Sequence, residues 1–283
     1  PLGLSVAEAA WGVHLIATGN MEHALRVVSV ERGRDPRRYT MVAFGGAGPL
    51  HAARIARAIG VERVVIPKAA GVGSAVGMLA ADARLDVSLS RILAVTAENT
   101  PAIAQVYADL EARLATDLDS LNQSGEPRFR RFAYMRHSGQ GFEIHVDLPA
   151  GPIDAAFITK AEAAFRAAYK ARYLTQDPAA AVEAVDWGLA AIIPRGEAPG
   201  RSSATATTLP ATGEPPTTRD AWFPEAGGFT PTQVWRREAI GPDTQIQGPA
   251  IIEDAEATTV LLPGDSAKLG TAGHLIIAVG GLR

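Results

Sequence analysis

Val42-Ala43-Phe44-Gly45-Gly46-Ala47-Gly48-Pro49-Leu50-His51-Ala52 begins as an apolar strand, breaks into three glycines and restarts as a helix. Without a Cβ, Gly45, Gly46 and Gly48 let backbone amides approach a ligand closely and make φ > 0 inexpensive. Pro49 suits the start of a helix, where its missing N–H costs nothing. A helix beginning there aims free N–H groups and the positive end of its dipole at whatever sits over the glycines, which favours a phosphate or another anion. The same run also serves as a plain strand-to-helix turn with no ligand.

Outward from this stretch the pattern is α/β. Ser5-x-x-Glu8 is a capping box that opens one long amphipathic helix ending near Gly33, and Asp35-Pro36 breaks it. His14 and His23 lie nine residues apart on that helix, off any single ligand-presenting face, and no metal site is expected. The spacing predicts a strand over 39–44, a helix over 50–59 stopped by Gly60 and a strand over 64–66, a parallel pair with a right-handed crossover. Gly71-Val72-Gly73-Ser74 offers a second close-approach turn with Ser74 as a helix cap, and residues 85–95 read as a closing strand.

Further on, helices over 100–122 and 154–173 and strands over 129–136, 142–148 and 182–193 predict an α+β unit. Residues 194–218 are rich in Pro, Thr, Ala, Gly and Ser and read as a linker or long loop. Short strands between Gly and Pro turns then form a β-rich end. The expected domains are 1–95, 96–195 and 221–283, with a linker over 196–220.

Composition narrows the function classes. The chain of 283 residues is 47% apolar and 20% charged, with a net charge of -3. Interspersed charge gives no basic footprint for nucleic acid or anionic lipid, and neither partner is expected. The absence of cysteine excludes disulfides, thiolate metal sites and a cysteine nucleophile. No run is apolar enough to span a membrane and no signal-peptide layout opens the chain, so the expected location is the cytoplasm. A first residue of Pro fits a fragment or a processed piece.

Three nucleotide readings separate by residue. A dinucleotide fingerprint wants a third glycine where His51 stands, and the strand expected to carry an acidic residue leads to Lys68, which leaves only an NAD(P) reading with Lys68 on a 2′-phosphate. A phosphate loop of the G-x-x-x-x-G-K-[ST] type is ruled out because no Lys follows the glycines. The third reading is a resemblance. Phe44 to Ala52, with Val28-x-Val30-Glu31-Arg32-Gly33-x-Asp35-Pro36 before it and Gly71-Val72-Gly73-Ser74-Ala75-Val76-Gly77 after it, resembles the A-type subunit of the hydantoinase/5-oxoprolinase family. That family includes N-methylhydantoinases, 5-oxoprolinases and the acetone and acetophenone carboxylases. Arg136-His137-Ser138-Gly139-Gln140-x-x-Glu143 is similar to a family segment in which an aromatic is usual at His137, and Gly248-Pro249-Ala250-Ile251-Ile252-Glu253-Asp254 is similar to its C-terminal β module.

The resemblance implies an actin-like (sugar-kinase or heat-shock-type) ATPase lobe, of which residues 1–95 are the last part, followed by an α+β unit and the small β-rich module. It implies ATP with Mg²⁺, used to phosphorylate a carbonyl or amide oxygen of a small amide or ketone substrate. It also implies two partners: the N-terminal lobe of the A subunit and a B-type subunit. Gly45, Gly46, Ala47 and Gly48 would hold nucleotide through their amides, with His51 near the base or ribose, while Gln140 and Glu143 are candidates for substrate or partner contact. The Asp-Gly-Gly-Thr-type phosphate loops of the first lobe do not occur in these residues, so the chain alone is expected to be inactive. A hydrolase and a carboxylase are not distinguished, and a non-catalytic assembly subunit of the same complex is the alternative.

Overall fold

The computed structural model of the protein describes residues 3–120, 125–174, 177, 179–194, 213–270 and 272–281. It divides into two compact units, residues 1–79 with 199–283, and residues 80–198.

In the first unit the capping box sets the start of α1 (Val6–Val28): the Ser5 hydroxyl accepts from Glu8 N–H, and the Glu8 carboxylate accepts from Ser5 N–H at 2.8 Å. Strand β1 (Met41–Val42) is shorter than the expected 39–44. After it Ala43 N–H makes one more bond to Val65, and the backbone then turns at Gly45, φ +87°. Next come α2 (Gly48–Ile59), stopped by left-handed Gly60 as expected, and β2 (Arg63–Ile66), parallel to β1 with Met41 opposite Val64. Helix α3 (Gly73–Ala80) already includes Ser74, which therefore is not its cap.

The second unit starts at β3 (Ala83–Ala94), which was expected to close the first domain. It pairs instead with a strand about a hundred residues away, from Ala83 opposite Ile193 to Ala94 opposite Glu183, with one register shift between Ser90 and Leu93. The order is β3, α4 (Thr100–Ser120), β4 (Arg128–His137), β5 (Ile144–Asp147), α5 (Ala155–Tyr173), β6 (Val182–Ile193). These strands make one sheet in the order β3-β6-β4-β5, antiparallel throughout. Ile103, Val106, Tyr107, Leu110 and Leu114 recur at helical spacing and give α4 one apolar stripe, which joins Phe157 and Phe165 of α5 over Met135, Val146, Trp187 and Leu189 of the sheet.

The linker expected over 196–220 lies mostly outside the described residues, and β7 (Thr217–Phe223) begins within it. There follow β8 (Gly228–Arg236), β9 (Gln245–Gln247), β10 (Ala250–Glu253), β11 (Thr258–Leu261), β12 (Ser266–Leu269) and β13 (Leu275–Ala278). The sequence reading separates residues 221–283 from 1–95, whereas here they share a sheet of order β1-β2-β13-β12-β9. Ile66 lies opposite Leu275 and Val64 opposite Ile277, all four buried, so either segment alone would leave that apolar face wet. A second sheet, β11-β10-β8-β7, completes the unit.

Candidate functional site

The glycine turn sits at the carboxyl end of β1, where a ligand of a parallel pair is expected to lie. Its glycines are not equivalent. Gly45 is the one with positive φ, and its N–H donates to Ala70 O at 2.7 Å, so this amide is already used inside the fold rather than offered to a ligand. Among the described residues, the amides of Gly46, Ala47 and Gly48 donate to nothing. Ala47, the residue before α2, gives no side-chain cap, and the first turn has no acidic residue. The start of α2 is thus an uncapped helix terminus carrying a positive partial charge.

A Cβ built on Gly48 meets nothing within 4 Å, so the space beside it is open. On Gly46 it would come 3.3 Å from the carbonyl oxygen of Glu256, and on Gly71 it would come 2.3 Å from the Glu256 Cβ. The turn between β10 and β11 therefore lies directly against both glycine turns. Gly71 is required by that contact, which makes the second turn a packing feature. Nothing local in the sequence ties Glu256 to Gly71, and only the tertiary fold reveals their contact.

His51 is turned away from the position expected of it. It is 7% exposed, and its Nδ1 lies 2.9 Å from Thr18 Oγ1 on α1. The single Thr18 hydroxyl proton goes to His14 O at 2.8 Å, so His51 Nδ1 is the donor of the pair. Its ring stacks on His14 at 4.6 Å, and His14 stacks on Trp11 at 5.1 Å. Arg54 lies 4.5 Å over the Trp11 ring and pairs with Glu225. Burial away from water is the main cause holding both histidines below the usual range. For His14 the adjacent His51 and Arg54 add to it against Glu225, and for His51 the Arg54 charge adds. The result is a neutral histidine pin between α1 and the first turn of α2.

In the second unit, Gln140 is similarly occupied. Its Nε2 donates to Tyr169 Oη at 2.9 Å and its Oε1 accepts from His137 N–H at 3.4 Å, across a turn that uses Gly139 at φ +85°. Glu143 is exposed. His137 is buried with neither ring nitrogen bonded, its ring edge-on to Phe165 and Tyr169. It fills an aromatic position. Lys68 offers its backbone N–H to His274 Nδ1. Among the described residues no three His, Asp or Glu side chains gather as metal ligands, and no helix is long and apolar enough to cross a membrane.

Two cavities accompany these features. One, of about 730 Å³ in the first unit, is walled by Val6, Trp11, Leu50, Arg54, Trp222 and Phe229 on the flank of α2. The other, of about 610 Å³ in the second unit, includes Leu118, Phe129, Arg131 and Leu189 in its walls. Both are mainly apolar, and neither includes the glycine turn.

Comparison with known proteins gives concordant matches. The model of the family described as hydantoinase/oxoprolinase matches residues 1–87, and that of the hydantoinase/oxoprolinase C-terminal domain matches residues 93–276. The chain is similar to caprolactamase subunit alpha of Pseudomonas jessenii, with 30% identity across 93% of this chain and 38% of that protein. It is similar to the acetone carboxylase beta subunit of Xanthobacter autotrophicus, with 28% identity across 97% of this chain and 39% of that protein. The crystal structure of the ATP-dependent caprolactamase from Pseudomonas jessenii superimposes with a TM-score of 0.71 at 28% identity, covering 99% of this chain and 41% of that one. The chain thus spans about two fifths of the length of these relatives.

Proposed function

Since the chain belongs to the hydantoinase/oxoprolinase family, we propose that it is the C-terminal portion of an A-type subunit of an ATP-dependent amidohydrolase or carboxylase, contributing one side of the nucleotide site. The observation that carries this reading is the set of three unengaged amides, Gly46, Ala47 and Gly48, at the uncapped, acid-free start of α2. Such a terminus fits the phosphate of a nucleotide, whose negative charge meets N–H dipoles already fixed in place. Bound ATP would supply the phosphoryl group that activates a carbonyl or amide oxygen. The residues of this chain hold and orient the nucleotide: Gly46 to Gly48 as donors, and His51, through Thr18, as a positioning residue that keeps the first turn of α2 against α1. Among the described residues no three His, Asp or Glu side chains gather as ligands for Mg²⁺. The A-type N-terminal lobe and a B-type subunit are the proposed partners.

The test is Gly48→Val in the full-length A-type protein. The new Cβ lies beside the free amides, and nothing outside the helix's own backbone and the flanking residues comes within 4 Å of it. Calorimetric titration should show ATP affinity reduced at least about tenfold, since a displaced phosphate loses charge-assisted bonds of roughly 1.5–3 kcal/mol each. The melting temperature should hold. Unchanged affinity in a folded variant would overturn the nucleotide role. The second reading, a subunit whose glycine turn only packs, rests on the contact of Glu256 with Gly46 and Gly71, and that result would favour it.

A further inference from the structure

Helix α1 carries two apolar seams on opposite sides. Trp11, His14, Thr18, Met21 and Leu25 follow at intervals of three and four and are at least partly buried, with His14 and Thr18 meeting His51 of α2 and Met21 and Leu25 packing on the core. Val6, Ala9, Val13, Ile16, Asn20, Ala24 and Val27 follow at the same kind of interval, and all seven are exposed. Val13 is 70% and Ile16 68% exposed. Three- and four-residue spacing with one central polar residue is the pattern of a helix that receives another helix along its length, here over roughly 30 Å.

The edge of the neighbouring sheet is also open. Strand β1 is terminal in the order β1-β2-β13-β12-β9. Ala43 N–H points to Val65 O on β2, so the alternation of a parallel ladder directs the N–H and C=O of Val42 away from the sheet. Val42 and Phe44 are exposed beside that edge. Natural edge strands are usually blunted by shortness, charge or covering; β1 is two residues long, and Met41 to Phe44 carries no charge.

We propose that the outer seam of α1 and the free edge of β1 form one docking surface for the rest of an A-type chain, which lays a helix along Val6 to Val27 and adds a strand beside Val42. The occupant follows from two observations. The relatives extend well beyond the two fifths that this chain matches, and a helix seam together with a strand edge calls for a continuing α/β layer rather than a lone peptide. The inference rests on the proposed reading of the chain as part of an A-type subunit and names which surface receives the remainder.

The experiment co-expresses the tagged chain with the N-terminal remainder of an A-type subunit and compares it with a Val13→Lys/Ile16→Glu variant. Both substituted positions are in solvent, so the melting temperature of the chain alone should stay unchanged. The wild-type chain should retain the remainder stoichiometrically and the variant at least about tenfold less. Hydrogen exchange at the Val42 amide should slow at least about tenfold in the complex. Capture that survives the double substitution, an unprotected Val42 amide or no capture by the wild-type chain would overturn the proposal. Self-association of the chain through the seam, seen by sedimentation, would overturn it too, by making a second copy the occupant. No readout uses nucleotide, so a complex that assembles but does not bind ATP would sink the nucleotide role and leave this docking surface standing.

Discussion

Two helices of similar length, α1 and α4, behave in opposite ways. Helix α4 places Ile103, Val106, Tyr107, Leu110 and Leu114 almost wholly out of water under one sheet, and its other face is polar. Helix α1 buries only Thr18 to the same degree and leaves an apolar seam in solvent. By the usual relation between apolar area and stability, α4 is held by the core of its own unit, whereas much of α1's apolar surface contributes nothing until something covers it. The difference teaches that α4 is covered by the sheet of its own unit, whereas α1 presents a seam that the described residues of its unit leave in solvent.

The sharpest way to break that comparison is to attack the finished core. Trp187 is buried, donates Nε1–H to Arg91 O at 2.8 Å and meets Tyr107 edge-on at 5.9 Å. Trp187→Ala should cost the second unit about 3–5 kcal/mol, read by denaturant unfolding, because it leaves a cavity and an orphaned carbonyl. A loss below about 1 kcal/mol would show that this core is not the tightly packed body described.

A smaller effect, of opposite sign, is expected at a flaw in that core. His137 holds two ring nitrogens away from water with no partner, among Phe165 and Tyr169. His137→Phe keeps an aromatic ring there and removes the unpaired groups, and it should raise stability by about 1 kcal/mol in the same assay. Destabilisation instead would mean that the imidazole is bonded in solution.

The mildest test separates the units by pH. In the first, folding lowers the affinity of His14 and His51 for protons, chiefly by burial, so the unfolded chain binds more protons there. Their contribution is fully present above the ordinary histidine value of 6.5 and is lost as pH falls from there through the depressed folded values. In the second unit, the hydrogen bond from Arg136 holds Glu183 below the carboxylate value of 4.5, with Ser138 also bonding it, so that contribution survives to lower pH and is lost only below about 4.5. Unfolding followed from pH 8 to 4 should show the first unit weakening earlier, and His14→Gln with His51→Gln should flatten its slope. Coincident acid transitions would contradict the assignment.

Much of this was legible in the sequence wherever the cause is local. The capping box at Ser5, the stop at Gly60, the crossover between β1 and β2 and the bounds of β6 all follow from residues within a few positions of each other. The partner of β3, the sharing of a sheet by residues 63–66 and 275–278, and the packing of Glu256 on Gly71 depend on residues brought together from far apart. The site divides the same way. Open amides at the start of α2 were readable from Gly46 to Pro49, but the loss of the Gly45 amide to Ala70 and the inward turn of His51 toward Thr18 were not, because neither partner lies in the motif.

The pairing of β2 with β13 bears on how the protein is made. As a chain leaves the ribosome, residues 80–198 are contiguous and hold every strand of their sheet, so they can close as soon as β6 has emerged. The first unit cannot. Its β2 must wait for its antiparallel partner until residues 275–278 arrive, since Val64 and Ile66 meet Ile277 and Leu275. Domains fold as they are synthesised, and exposed strand edges are where misassembly starts. The unit in the middle of the chain is therefore the earlier to close, and the sheet beside the glycine turn is among the last parts of the molecule to be completed.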